Sequence, residues 1–172
     1  MATGVYEYEL NLLVSLKLRD RLLEEGFEVG MTRTSHDVSI SNMERAEMAN
    51  EAGADVFIRI HANGSENSGK RGMLTIHPSG DNPFVGHLSE ESLRLSKDLH
   101  DGMVEETGAA GAGVHAMDNM VGINWSKIPV SIVELGYMSN EEEDLLLNTE
   151  EYQNLLVEGL VRGVKRYFGK EE

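Results

Sequence analysis

The chain has 172 residues, of which 40% are apolar, and a formal net charge of −15. This length predicts one domain over residues 1–172 with a real hydrophobic core. The acidic excess argues against a nucleic-acid partner and against a basic membrane-binding patch, because both need clustered positive charge. The chain has no cysteine. Disulfides and thiolate ligands are therefore excluded, and a metal would have to use histidine and carboxylate ligands.

The N-terminal residues lack the basic and then apolar plan of a signal peptide. No apolar run approaches the ~18 residues that a membrane-spanning helix requires. We therefore expect a soluble chain without membrane insertion, whose export signal, if it acts outside the cell, has been removed or never existed.

Helical and extended patterns alternate along the first half of the chain. In chain order, they predict a helix over 7–25, a strand over 27–32, a helix that Ser39 or Ser41 caps, and a strand over 55–61.

The second half continues the alternation. The pattern predicts a strand over 72–77, a helix over 89–106, a flexible loop over 108–113, a strand over 130–134, a short helix capped by Asn140, and a last helix capped by Thr149. Strands separated by helices predict an α/β fold. We expect a three-layer sandwich in which helices flank a mixed, largely parallel central sheet.

Two ionisable residues stand at the ends of apolar strands. Glu134 follows Val-Ser-Ile-Val and precedes Gly136, and His61 closes the strand that begins near Val56. Strand ends of open α/β sheets are where ligands usually bind, so histidine and carboxylate there suggest a metal hydrolase. The alternatives are structural: His61 as an ordinary hydrogen-bonded group, and Glu134 as the ion-pair partner of an arginine, Arg33 or Arg59.

Several motifs occur in an order and spacing that resemble one enzyme family. They are Glu7 to Leu12, Thr32-Arg33-Thr34, Arg45 to Asn50, Ile60-His61-Ala62-Asn63 and Pro129 to Asn140. Together they resemble the zinc-dependent N-acetylmuramoyl-L-alanine amidases over essentially the whole chain. The resemblance implies cleavage of the amide between the lactyl group of N-acetylmuramic acid and the first alanine of the peptidoglycan stem peptide. It also implies one zinc ion held by His, Glu and His, with a further Glu as the catalytic residue.

The resemblance assigns roles to three residues of this chain. Glu7 corresponds to the carboxylate ligand of zinc, His61 to the later histidine ligand, and Glu134 to the catalytic glutamate. Glu9 should point to a different helix face from Glu7. Other residues near these motifs receive no catalytic role: Arg33 and Arg45 as structural or carboxylate-pairing groups, Asn63 as a loop-shaping residue, and His36, His77 and His115 as histidines not expected to bind metal. Trp125 either stacks on a sugar or stem peptide or packs beside Pro129.

The chain departs from the family pattern at its beginning. In the family, the first histidine ligand belongs to an opening strand and Gly-His-Gly loop, whereas here only six residues precede Glu7 and no histidine occurs before His36. Three explanations compete: a shortened chain or wrong start, another histidine in that position, or a metal-poor relic. We favour missing upstream sequence, because loss of a central strand would also expose a sheet edge and weaken the fold.

The resemblance gives a leading hypothesis and two rivals. The leading one is a monomeric zinc amidase that acts on the glycan strand and stem peptide of peptidoglycan, outside the cell, in the wall or the periplasm. The main rival is a metal-poor, catalytically impaired homologue that binds peptidoglycan or regulates a partner. The third is a cytoplasmic α/β protein in which His61 and Glu134 form a structural pair.

Overall fold

A computed structural model describes residues 2–171 as one sheet with helices on both of its faces. The elements in chain order are α1 (Glu7–Glu24), α2 (Asn42–Glu51), β1 (Phe57–Asn63), β2 (Met73–His77), α3 (Ser89–Thr107), β3 (Gly111–Ala116), α4 (Val121–Asn124), β4 (Val130–Tyr137), α5 (Glu141–Leu147) and α6 (Glu150–Tyr167).

The four strands lie side by side in the order β1-β4-β2-β3. The β1–β4 and β2–β3 pairs are parallel, and β2 runs antiparallel to β4. The sheet is therefore mixed and largely parallel, which confirms the α/β prediction. Parallel neighbouring strands have their carboxyl ends at the same end of the sheet. The carboxyl ends of β1 and β4 therefore lie side by side.

Two hydrophobic clusters cover the two faces of the sheet. Side chains of α1, α3 and α6 pack on one face around Val133 and Leu135, and α2 and α4 cover the other around Ile132. Adjacent residues of β4 thus point to opposite faces, as the pleat of a strand requires. The result is the expected arrangement of three layers.

Side-chain caps fix where three helices begin. The Ser41 hydroxyl accepts a hydrogen bond from the Glu44 backbone N–H at 3.2 Å, and the Glu44 carboxylate accepts one from the Ser41 N–H at 2.7 Å. Ser41, rather than Ser39, is therefore the cap. Asn140 and Thr149 cap their helices as predicted.

Two predicted segments differ from the structure. Residues 27–32 form no strand, because within residues 2–171 no neighbouring strand offers them a backbone ladder. The predicted loop over 108–113 instead leads directly into β3, which begins at Gly111 and pairs with β2. The positive φ of 98° at Gly113 accommodates the irregular register of that pair.

β1 is an edge strand of the sheet. Within the described residues, no strand pairs with the outer side of β1. None of the helices in residues 2–171 combines the length and apolar character needed to cross a lipid bilayer.

Candidate active site

Glu7 and His61 meet where the first turn of α1 passes the end of β1. The Glu7 Oε1 atom lies 2.9 Å from His61 Nδ1, and it also accepts hydrogen bonds from Asn11 Nδ2 at 2.9 Å and the Ala62 N–H at 3.4 Å. The hydrogen bond with His61 is the largest effect that lowers the pKa of Glu7, against the opposing effect of burial. Glu7 is therefore an anion held in a fixed position.

Glu9 takes a different direction from the same helical turn. Its carboxylate accepts a hydrogen bond from the Tyr6 N–H at 2.9 Å, which completes the cap of α1. The side chains of Glu7 and Glu9 thus diverge, in agreement with the helix geometry expected from the sequence.

Glu134 lies opposite His61 across the parallel pair of β1 and β4. Burial is the main cause that raises its pKa to about 7; the nearby His61 opposes this, and the charge of Glu7 reinforces it. The buried Oε2 atom of Glu134 accepts no hydrogen bond from any described residue. A buried carboxyl group with this pKa can gain and lose a proton near neutral pH, as a general acid–base group must.

The proposed ion pair between Glu134 and an arginine does not form. Arg59 donates to Asn42 Oδ1 at 2.6 Å, and Arg33 donates to the Tyr8 carbonyl at 2.6 Å. Neither forms a salt bridge with a carboxylate in residues 2–171. This structural alternative for Glu134 is therefore wrong.

The donors of Glu7 and His61 fit zinc in kind but not in number. Imidazole nitrogen and carboxylate oxygen are ordinary zinc ligands, and here they converge on one point. A catalytic zinc site generally uses three protein ligands, however, and the described residues contain no group of three histidine or acidic side chains placed to hold a metal.

The remaining histidines near the sheet do not complete this donor set. His77 lies 2.8 Å through Nδ1 from the Pro78 carbonyl, one step beyond the paired Ile76 and Ile132, and so is displaced from Glu134 along the strand. His36 packs edge-on against Tyr8, and its Nδ1 lies 3.3 Å from Arg33.

Trp125 lies away from this end of the sheet. It ends α4 shortly before β4 begins, and its carbonyl accepts a hydrogen bond from Asn50 at 3.0 Å. Glu134 lies four residue steps along β4 from Val130, which corresponds to roughly 13 Å. The structure therefore gives no support to Trp125 as a stacking group beside Glu134.

Asn11 is a site residue that the sequence analysis did not single out. It is 8% exposed, and its amide fixes the Glu7 carboxylate from one helical turn away. The signal was the four-residue spacing of Glu7 and Asn11, which places both on one helix face.

Comparisons with known proteins identify the family of this chain. The family profile described as N-acetylmuramoyl-L-alanine amidase matches residues 1–166. The chain is 31% identical over 168 residues to the uncharacterized protein YqiI of Bacillus subtilis, covering 98% of this chain and 77% of YqiI. It is 26% identical to the probable cell wall amidase LytH of Staphylococcus aureus, covering 94% of this chain and half of LytH.

A solved structure shares the fold. The crystal structure of an N-acetylmuramoyl-L-alanine amidase from Clostridium difficile 630 superimposes with a TM-score of 0.87 at 27% identity, covering 98% of this chain and 87% of that one. The family profile, the relatives and the fold agree over almost the full length. The chain belongs to the N-acetylmuramoyl-L-alanine amidase family.

Proposed function

We propose that this chain is the single catalytic domain of a zinc-dependent amidase that cleaves the bond between N-acetylmuramic acid and L-alanine in peptidoglycan. The observation that carries the proposal is the buried Glu134 carboxyl, whose pKa is raised to about 7, facing the linked pair of Glu7 and His61. Perturbed carboxyl groups of this kind concentrate at catalytic sites.

In this proposal Glu7 and His61 hold the metal, together with one more donor from outside residues 2–171. A zinc ion there would polarise the scissile carbonyl and make water more acidic. Asn11 keeps the Glu7 oxygen directed at His61 through its 2.9 Å hydrogen bond. Because Glu7 and His61 are the ligands in this proposal, Glu134 has no ligand role.

Glu134 moves the proton in this proposal. Its unpartnered Oε2 atom is available to accept a proton from the attacking water and to return it to the departing alanine amine. An amide needs this help, because an unprotonated amine leaves poorly. A pKa near 7 allows both halves of the transfer at neutral pH.

The relatives favour a location outside the cytoplasm. LytH carries the name of a probable cell wall amidase, and peptidoglycan itself lies outside the cell membrane. We therefore propose that the domain acts as a monomer on glycan strands and stem peptides in the cell wall or periplasm.

Substitution at Glu134 and His61 tests these roles. In a metal-competent form of the protein, extended by the missing donor and supplied with zinc, Glu134→Gln should keep the metal but lose most release of stem peptide from purified peptidoglycan, whereas His61→Ala should lose both. Glu142→Gln is the matched control, because that side chain is 81% exposed and, among the described residues, forms a salt bridge only with Arg71. Near-normal turnover in Glu134→Gln, or metal retained by His61→Ala, would contradict the assigned roles.

The shortage of ligands supports a second candidate. With two donors in place, the same fold could bind peptidoglycan without cleaving it. A sedimentation assay with intact peptidoglycan separates the two functions. Binding with no stem-peptide release by the extended, metal-competent form at saturating zinc would favour the impaired, wall-binding homologue.

A further inference from the structure

Two of the three relationships within the candidate active site have an evident cause. The parallel register of β1 and β4 places His61 opposite Glu134. A hydrogen bond of 2.9 Å joins Glu7 to His61. The third relationship is between Glu7, at the start of α1, and Glu134, on β4. Its cause lies in a contact between the residues that precede α1 and the helix that follows β4.

Asp144 is the buried half of this contact. It belongs to α5 and is 0% exposed. Its Oδ2 atom accepts hydrogen bonds from the Thr3 N–H at 2.8 Å and from the Thr3 hydroxyl at 3.0 Å. No lysine or arginine in residues 2–171 forms a salt bridge with it. A buried carboxylate is costly unless donors surround it, and Thr3 supplies two of them.

The position of Asp144 is fixed relative to Glu134. The preceding residue, Glu143, accepts a hydrogen bond at 2.7 Å from the N–H of Tyr137, which is the last residue of β4. The Asn140 side chain caps the start of α5. Glu134 lies in the same strand as Tyr137. Asp144 is therefore held by the end of the strand that carries Glu134.

A short, well-fixed turn connects Thr3 to Glu7. The Thr3 hydroxyl accepts a hydrogen bond from the Val5 N–H at 3.3 Å, and the left-handed φ of 75° at Gly4 closes the turn. Tyr6 follows as the N-cap of α1, and its N–H is bound within the capping box. Glu7 is the first residue of the helix. A constraint on Thr3 is therefore transmitted along this turn to Glu7.

We propose that Asp144 is a positioning residue of the active site: by holding Thr3, it sets the place of the Glu7 carboxylate relative to His61 and Glu134. The sheet register, the bond between Glu7 and His61, and the contact of Thr3 with Asp144 then fix all three relationships. The consequence for catalysis rests on the function proposed above, whereas the positioning of Glu7 does not depend on it.

Amide hydrogen exchange at Ala62 reports the position of Glu7 in the chain without metal. The Ala62 N–H donates to Glu7 Oε1 at 3.4 Å, so displacement of that carboxylate should speed its exchange. The reference is the Ile132 amide in β4, which lies between β1 and β2, because its exchange follows the stability of the whole sheet. The measured quantity is the ratio of the Ala62 rate to the Ile132 rate, each relative to the wild type.

Two Thr3 variants test the contact. Thr3→Val keeps the shape of the side chain but removes the hydroxyl donor, and the exchange ratio of Ala62 to Ile132 should rise about fivefold. Thr3→Ser keeps the hydroxyl and should retain the wild-type ratio. A general loss of stability would instead speed both amides by the same factor. An unchanged ratio in Thr3→Val, or an equal rise in Thr3→Ser, overturns the proposal.

Asp144→Asn tests the acceptor. Its amide group places N–H donors where carboxylate oxygens accepted, so the exchange ratio should rise about tenfold. Adding Thr3→Val to this variant should change the ratio little further, because both substitutions act on one contact. Effects that simply multiply would overturn transmission through Thr3. If Asp144→Asn fails to fold, the two Thr3 variants decide.

Ser126→Ala is the matched control. The Ser126 hydroxyl is also buried and donates to the Ile128 carbonyl at 2.7 Å, but it lies before β4, at the opposite end of that strand from Glu134. Its loss should leave the exchange ratio of Ala62 to Ile132 unchanged. A rise in this variant equal to that in Thr3→Val would overturn a specific role for the contact of Thr3 with Asp144.

Steady-state kinetics tests the consequence for the reaction. In the extended, metal-competent form supplied with zinc, Asp144→Asn should lower kcat for stem-peptide release about tenfold and change KM by less than about twofold, because Glu7 acts at the reacting centre. An unchanged kcat would overturn the role in catalysis. If the wild-type form releases no stem peptide, the proposed hydrolysis fails, while the exchange ratio at Ala62 still decides whether Asp144 positions Glu7.

Discussion

His61 and Glu134 face each other across the parallel pair of β1 and β4, although they belong to segments far apart in the chain. Each ends an apolar run, and the parallel register brings both ends to the same sheet edge. The carboxyl group of Glu134 consequently lies close enough to Glu7 and His61 for both to affect its pKa. The sheet topology, rather than any local motif, creates this juxtaposition.

The raised pKa of Glu134 predicts a pH-dependent stability. A carboxyl with pKa about 7 when folded and 4.5 when unfolded binds more protons in the native state between these values. Stability therefore falls as pH rises from 4.5 to 7, by as much as about 3 kcal/mol for this one group. Glu134→Gln removes the ionisation, so its melting temperature should exceed that of the wild type at pH 8 and approach it near pH 4.

Glu7 provides a control in which the effect of pH on stability has the opposite sign. Because its pKa is lowered in the folded state, its charge contributes stability above pH 4.5 that is lost as pH falls through the folded pKa. Glu7→Gln should therefore destabilise the protein at neutral pH, and the difference should shrink in acid. Equal shifts at pH 4 and pH 8 in either variant would refute the assigned ionisation states.

Glu143 is predicted to hold the end of β4 in place. Its two carboxylate oxygens accept hydrogen bonds from the Tyr137 N–H at 2.7 Å and the Gly72 N–H at 2.8 Å. Glu143→Ala should lower the free energy of unfolding by about 2–4 kcal/mol in urea denaturation. Its exposed neighbour is the control, and Glu142→Ala should stay within about 0.5 kcal/mol. Similar losses of unfolding free energy in Glu143→Ala and Glu142→Ala would contradict this role of Glu143.

Close contact between α3 and α6 should make Gly159 intolerant of a side chain. A Cβ atom there would lie 2.6 Å from the Gly102 carbonyl oxygen and 2.6 Å from the Met103 Cα atom. Gly159→Ala gains about 1 kcal/mol of helix propensity but forces the helices apart, so we expect a net loss of roughly 2 kcal/mol in thermal denaturation. Gly30→Ala, which meets no atom within 4 Å, should be nearly neutral. A more stable Gly159→Ala variant would contradict this packing.

Local signals in the sequence account for much of the fold. Ser41 and Thr149 cap helices because their hydroxyls accept from backbone N–H groups three residues later, a contact within one helical turn. The failure at residues 27–32 has the opposite cause. Their alternation is that of a strand, but a strand also requires a neighbour, and the described chain supplies none beside them.

The candidate site depends even more on tertiary context. The resemblance to a known family singled out Glu7, His61 and Glu134, and the fold brings them together. The pKa of Glu134 could not be read from the sequence, because it depends on burial. The spacing of Glu7 and Asn11 places both on one helix face, but only the fold shows the hydrogen bond between them. Only the fold shows that Arg59 donates to Asn42 and forms no salt bridge with a carboxylate in the described residues.

The last prediction concerns zinc affinity. With only Glu7 and His61 as ligands, the chain should bind zinc weakly and lose it on dialysis. An N-terminal extension that supplies a strand and a Gly-His-Gly loop should raise the affinity by orders of magnitude, because each ligand contributes strongly. Isothermal titration and metal analysis measure both forms.

Single variants identify the ligands in the same experiment. His61→Ala and Glu7→Gln should each abolish the weak zinc binding, whereas His77→Ala should leave it unchanged, because His77 lies beside the Pro78 carbonyl and away from Glu134. One tightly held zinc per chain in the unextended protein would show that a third donor is already present. Loss of that zinc in His77→Ala or His36→Ala would then identify the donor and correct the ligand set proposed for this site.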